Sequence, residues 1–129
     1  WNVSSVTDMR QMFMRTPFNG DISRWNVSKV TDMNWMFGES LFDGDISRWN
    51  VSKVTNMHHM FCNAVSFNGD ISRWNISKVT SMWKMFNKAH LFTGDISGWK
   101  LKNFCSTTDI FKECPIPEEN KPIGTRMII

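Results

Sequence analysis

At 129 residues, 41% of them hydrophobic and 21% charged, the chain is long enough for one domain and apolar enough to fill a core, which excludes a disordered segment. A net charge of +3 is too small to name a nucleic-acid partner. No apolar run approaches the roughly 20 residues of a membrane-spanning helix.

The chain is one short unit, repeated. Units begin at Trp1, Trp25, Trp49 and Trp74, with a degenerate one at Trp99, so the period is 24, 24, 25 and 25 residues. No unit of that size can bury its apolar face alone, so each must lean on its neighbours. The repeats occupy residues 1–111, and residues 112–129 form a C-terminal cap or tail. The chain opens in the middle of a repeat, which reads as the start of an excerpt, and the missing targeting segment therefore carries little weight. The first unit has no coil before it, so its flank is expected to continue into further repeats or to be covered by another protein.

Within a unit, Trp25 and Val27 lie two apart, as the inward positions of a strand do, and a short strand is expected at 25–27. Val30, Met33, Met36 and Phe37 then fall on one helical face, predicting a helix of two to three turns. Ser28 or Thr31 would cap it, and Asp32 would complement its dipole. Phe18-Asn19-Gly20-Asp21 returns the chain through a tight turn, for which Asn-Gly supplies a positive φ. Equivalent corners recur at Phe42, Phe67 and Phe92. This reading gives an α/β, leucine-rich-repeat-like right-handed solenoid, with short parallel strands on one face and short helices on the other.

The string WNVSKVTDMNWMF, followed by a GDIS corner, resembles the BspA-like leucine-rich-repeat surface proteins, over residues 1 to about 99. From Trp99 onward the pattern degenerates, with Thr107 standing where Met9, Met33, Met57 and Met82 stood. The resemblance implies attachment or assembly rather than chemistry, at a cell surface or outside the cell, or alternatively in a virion. The tail contains Pro115, Pro117 and Pro122, which end the repeat. Met127, Ile128 and Ile129 would tuck beneath it or dock on a neighbour.

Function is then sought in columns. Arg24, Arg48 and Arg73 form one, Asn26, Asn50 and Asn75 a second two residues on, and Lys29, Lys53 and Lys78 a third at the edge. Either Asp21, Asp45, Asp70 and Asp95 neutralise the arginines, or an anionic partner lies across them, since arginine forks suit carboxylates, phosphates and sulfates. A calcium ladder on those aspartates is disfavoured, because one carboxylate per coil falls short of six or more oxygens. Hydrogen bonds to turn amides suit them better. Trp35 and Trp83 lie between core methionines and are either exposed contact residues or shields over the helix.

His58 and His59 are adjacent and cannot pair on a helix face as zinc ligands do, so no metal site is expected. The Asn-x-Ser sequons at Asn2, Asn26, Asn50 and Asn75 would crowd glycans about 5 Å apart, so they read as a structural column. Cys62 reads as an unpaired thiol beside the core. Cys105 and Cys114 either close a disulfide over the terminal cap or remain reduced thiols. Repeated like groups along a line do not make an active site, which needs unlike groups converging once. The expectation is a non-enzymatic repeat protein without cofactor, presenting an adhesin-like face to a protein or an anionic glycan surface. The alternative is a structural component of a virus particle or cell envelope, packed against neighbouring subunits.

Overall fold

A computed structural model describes residues 1–126; the expectation for Met127 to Ile129 lies outside them. Each unit forms one coil, and successive coils are tied by backbone hydrogen bonds between equivalent positions. Single-residue parallel bridges run Asp8 to Asp32, Asp32 to Asn56, Asn56 to Ser81 and Ser81 to Ser106.

The coil wall is built otherwise than the periodicity suggests. Among the described residues there is no α-helix and no β-strand; the regular elements are two 3-10 helices, Glu118–Asn120 and Ile123–Thr125. The leucine-rich-repeat-like α/β solenoid is therefore incorrect. The segment expected to be helical contains two residues at positive φ in every unit. They are Gln11 and Arg15, Trp35 and Glu39, His59 and Asn63, Lys84 and Lys88, and Asp109 and Glu113. A left-handed residue every fourth position stops an α-helix, whose residues all need negative φ.

The backbone accounting explains why the chain accepts that strain. In the second coil the amides of Met33, Trp35, Phe37 and Glu39 donate to the carbonyls of Asn56, His58, Met60 and Cys62 in the next coil, at 2.8–3.1 Å. The intervening amides are satisfied locally: Asn34 by Asp32 Oδ1, Met36 by the Met33 carbonyl and Gly38 by the Trp35 carbonyl. An α-helix would spend all of these amides within the coil and leave none to join coils. The strain of about 1–2 kcal/mol per left-handed residue is offset because each such amide in the first four coils makes an inter-coil bond.

The expected strand is likewise replaced by two turns, with Asn26 between them. The Trp25 amide closes a turn on the Ile22 carbonyl and the Val30 amide closes one on the Val27 carbonyl. Helix capping is replaced as well, since Thr31 bonds the Thr7 carbonyl through both its amide and its hydroxyl. No described glycine has positive φ, so the corner glycines are not there for a left-handed turn. At Gly44 an added Cβ would lie 2.8 Å from the Phe42 ring, and that close approach is what requires glycine.

The period-3 apolar positions do face inward. Met33, Met36, Met57, Met60, Met82 and Met85 are fully buried. Beside them two phenylalanine columns run the length of the stack. Phe13, Phe37, Phe61, Phe86 and Phe111 stack in series at 5.5–5.8 Å between centroids. Phe42, Phe67 and Phe92 form the second column and lie 4.2–4.4 Å from the first. Trp49, Trp74 and Trp99 close the core at 4–5% exposure, each donating its indole N–H to the Ile22, Ile46 or Ile71 carbonyl, 27 or 28 residues earlier, at 3.0–3.1 Å.

The last coil is followed by a segment that folds back on it. Ile116 and Pro122 are buried, the Ile96 amide donates to the Asn120 carbonyl, and the Asn120 side chain donates to the Thr93 carbonyl. Lys121 Nζ lies 5.6 Å from the Phe111 ring centroid.

Candidate functional site

The Arg, Asn and Lys columns occupy two turns beside Trp25, Trp49 and Trp74, of which Trp25 is half-buried and the other two are buried. Arg24 sits in the turn closed by Trp25 on Ile22, and Lys29 in the turn closed by Val30 on Val27. Asn26 lies between them. The same arrangement recurs with Arg48, Asn50 and Lys53, and with Arg73, Asn75 and Lys78; all nine side chains are exposed. The flank is thus made of turns and not of a strand face.

Hydrogen bonding sets the chemistry of each rung. The Oδ1 atoms of Asn26, Asn50 and Asn75 accept the amides of Ser28, Ser52 and Ser77 at 3.0 Å. Each asparagine therefore spends its acceptor inside the chain and turns its amide N–H donors outward. The corner aspartates are also engaged. Asp21, Asp45, Asp70 and Asp95 accept the amides of Ser23, Ser47, Ser72 and Ser97 at 2.9–3.0 Å, as expected of carboxylates bonded to turn amides. Those serine hydrogen bonds hold the four carboxyls below their usual pKa, with the nearby Arg24, Arg48 and Arg73 adding to the effect on the first three.

Among the described residues, Arg24, Arg48 and Arg73 make no hydrogen bond or ion pair with another side chain. The described ion pairs lie elsewhere, as Arg10 with Asp8, Arg15 with Glu39 and Lys121 with Glu118. Arg24 and Arg48 border one shallow depression together with Ser23 and Asp45. Aspartates thus stand near the arginines and lower the local charge without forming forks with them. Counting Asp45, Arg48 and Lys53, a rung carries one excess positive charge.

Trp35 and Trp83 lie on a different part of the surface. Trp35 is half-buried and stacks on His59 at 4.3 Å and 12°. It lies across Gly38, where a Cβ would come within 2.4 Å of its ring, which explains a glycine where Cys62 and Asn87 stand in the following coils. Trp83 is 42% exposed, meets His59 edge-on at 4.9 Å and carries Lys84 Nζ 5.4 Å from its ring centroid. Neither tryptophan is near the Arg columns in the repeat, so the eight sequence candidates form one flank of six and a separate aromatic cluster.

Sequence reasoning missed the center of that cluster. His59 is buried, shares a 3.0 Å Nδ1 to Nδ1 hydrogen bond with His58, and has its pKa lowered to about 4, chiefly by burial and then by His58 and Lys84. Nothing in the sequence signals the positive φ of His59 that turns its ring onto Trp35.

The three cysteines are free. Cys105 and Cys114 are therefore not joined, and Cys114 Sγ points instead to the Phe92 carbonyl at 3.4 Å. Burial pushes all three thiols up in pKa. Among the described residues no cluster of three or more His, Cys, Asp or Glu could hold a metal ion, and no helix is long and apolar enough to cross a membrane.

No curated protein and no solved structure matches this chain. A family model described as a Mycoplasma protein of unknown function, DUF285, matches residues 1–67 and again residues 38–123. With its tryptophan and phenylalanine positions recurring every 24 to 25 residues across both matches, the chain belongs to that DUF285 family of repeat proteins.

Proposed function

We propose that the chain is a non-enzymatic binding module that attaches to an anionic partner through the flank formed by Arg24, Asn26, Arg48, Asn50, Arg73 and Asn75. The observation that carries the reading is the excess of outward donors on each rung, where arginine, asparagine and lysine outnumber the single aspartate. The guanidinium groups have no fork partner among the described residues, the asparagine acceptors are used internally, and the lysines add further donors. A surface of that kind favours oxygen-rich anions, because arginine pairs in two parallel hydrogen bonds with carboxylate, sulfate or phosphate. Three such rungs act together, since neighbouring coils are closer than the screening length of about 10 Å at 0.1 M salt.

The likeness of the repeat to BspA-like surface proteins supports an attachment role and a cell-surface or extracellular setting, although the leucine-rich-repeat geometry of that likeness does not apply. A structural role in a virion or envelope is the second reading. It is favoured by the exposed apolar side chains of Leu41, Val65 and Leu91, which suit packing against a neighbour.

The test is binding to a surface coated with sulfated polysaccharide, against an uncharged dextran surface. Replacing Arg24, Arg48 and Arg73 together with Gln is expected to weaken binding about tenfold or more and to flatten its dependence on salt. Equal binding by the triple variant would return the column to a solvated face.

A further inference from the structure

Resting on the attachment role above, we infer that the flank takes a linear anionic polysaccharide, laid along the stacking axis with one anionic sugar per coil. Three features of the rungs lead there. The first is spacing. Phe37, Phe61 and Phe86 stack at 5.5 Å between centroids, and adjacent parallel chains lie about 4.8 Å apart, so the three arginines are spread over roughly 10 Å. They form a line and do not converge on one point.

The second feature is what stands between the arginines. Asp45 lies in the depression bordered by Arg24 and Arg48, and its carboxylate is fixed there by the Ser47 amide at 2.9 Å. A compact anion lodged between two arginines would meet that carboxylate. An anion placed outward on a single rung meets one guanidinium and the N–H donors of one asparagine instead. The arrangement therefore disfavours an isolated phosphate or sulfate shared by two coils and favours a chain that offers a separate anion to each.

The third feature separates a polysaccharide from a single-stranded nucleic acid. Sequence-tolerant binding of nucleic acid strands relies on aromatic side chains that stack on successive bases. The tryptophans of this flank, Trp49 and Trp74, are 4% exposed with their indole N–H groups bonded inward, and Trp25 is packed against Phe13 at 5.8 Å. Along the three rungs no run of aromatic faces is left for successive bases, since the exposed Trp1 stands before the first rung and stacks on Trp25 at 6.2 Å. A sugar needs no such platform, because its hydroxyl, carboxylate and sulfate oxygens accept from the asparagine, arginine and lysine donors directly. Gly98 stands where a fourth arginine would follow and Ser5 where a lysine would precede Lys29, so residues 24–78 carry three complete rungs.

Sulfated oligosaccharides of one to six anionic sugars, titrated at fixed salt, provide the test. Affinity is expected to rise about threefold with each sugar up to three and to level off beyond. Arg73→Gln, at the end of the series, should bring the plateau down to two sugars, while Arg48→Gln, at its center, should flatten the rise after the first. Binding that is as tight for one sugar as for six would overturn the linear register and leave the attachment role standing. Failure of every oligosaccharide and of the parent polymer to bind would overturn both. Equal binding of an oligothymidylate of matching charge would overturn the choice of polysaccharide.

Discussion

Replacing Trp49 with Ala removes the seam between the second and third coils. The indole is 4% exposed, packs on Phe37 at 6.1 Å and donates to the Ile22 carbonyl at 3.1 Å. Truncating a buried tryptophan to alanine costs about 3–5 kcal/mol, and the Ile22 carbonyl left without its donor adds about 1 kcal/mol. The expected loss is about 5 kcal/mol, a large share of the whole stability of a domain this size. Trp49→Phe keeps most of the ring and loses the N–H, so about 2 kcal/mol is expected. Trp25→Ala is the internal control, because Trp25 is only half-buried and makes no indole hydrogen bond to another described residue; about 2 kcal/mol is expected there. Urea unfolding followed by circular dichroism and by tryptophan emission would measure all three. Because stability in a stack is the sum of coils and their interfaces, the Trp49→Ala curve should also broaden as the two halves lose coupling. A loss below about 1 kcal/mol, or a larger effect at Trp25 than at Trp49, would refute the assignment of these indoles to the inter-coil seam.

Lys88 has φ 59° and is exposed, so it separates the turn-built wall from a helical one. Lys88→Gly should be neutral or stabilising by up to about 1 kcal/mol, whereas Lys88→Val should destabilise by about 1–2 kcal/mol; the opposite order in thermal melts would mean a helix. The pH dependence of stability should carry the mark of His59. Its folded pKa of about 4 lies below the ordinary value of 6.5, so the unfolded chain binds more protons between those values, and stability falls as pH drops from about 6.5 towards 4. The full shift corresponds to about 3 kcal/mol, and solvent reaching the pair beside half-buried His58 should reduce this to about 1.5 kcal/mol. His59→Gln should flatten that part of the profile measured by urea midpoints from pH 4 to 7; an unchanged slope would assign it to other groups.

What the sequence by itself determined was the repeat and the inward set. Trp49, Val51, Val54, Met57, Met60, Phe61 and Phe67 recur at fixed offsets because each must meet its equivalent in the next coil, and all are buried. The Asp and Asn turn positions were partly legible too, since their side chains act on the backbone only two residues away. The secondary structure was decided by the tertiary structure. Val30, Met33, Met36 and Phe37 have the spacing of a helical face, but that spacing also fits consecutive turns that each point one side chain inward. Hydrophobic offsets carry no record of where backbone amides donate. The choice between the two lay with the neighbouring coil, whose carbonyls of Asn56, His58, Met60 and Cys62 accept from alternate amides and so draw Trp35 and Glu39 into the left-handed region. The same contact turned Trp35 onto His59. These are consequences of stacking coil on coil, and residues that meet only across 24 or 25 positions of chain cannot display them within one repeat.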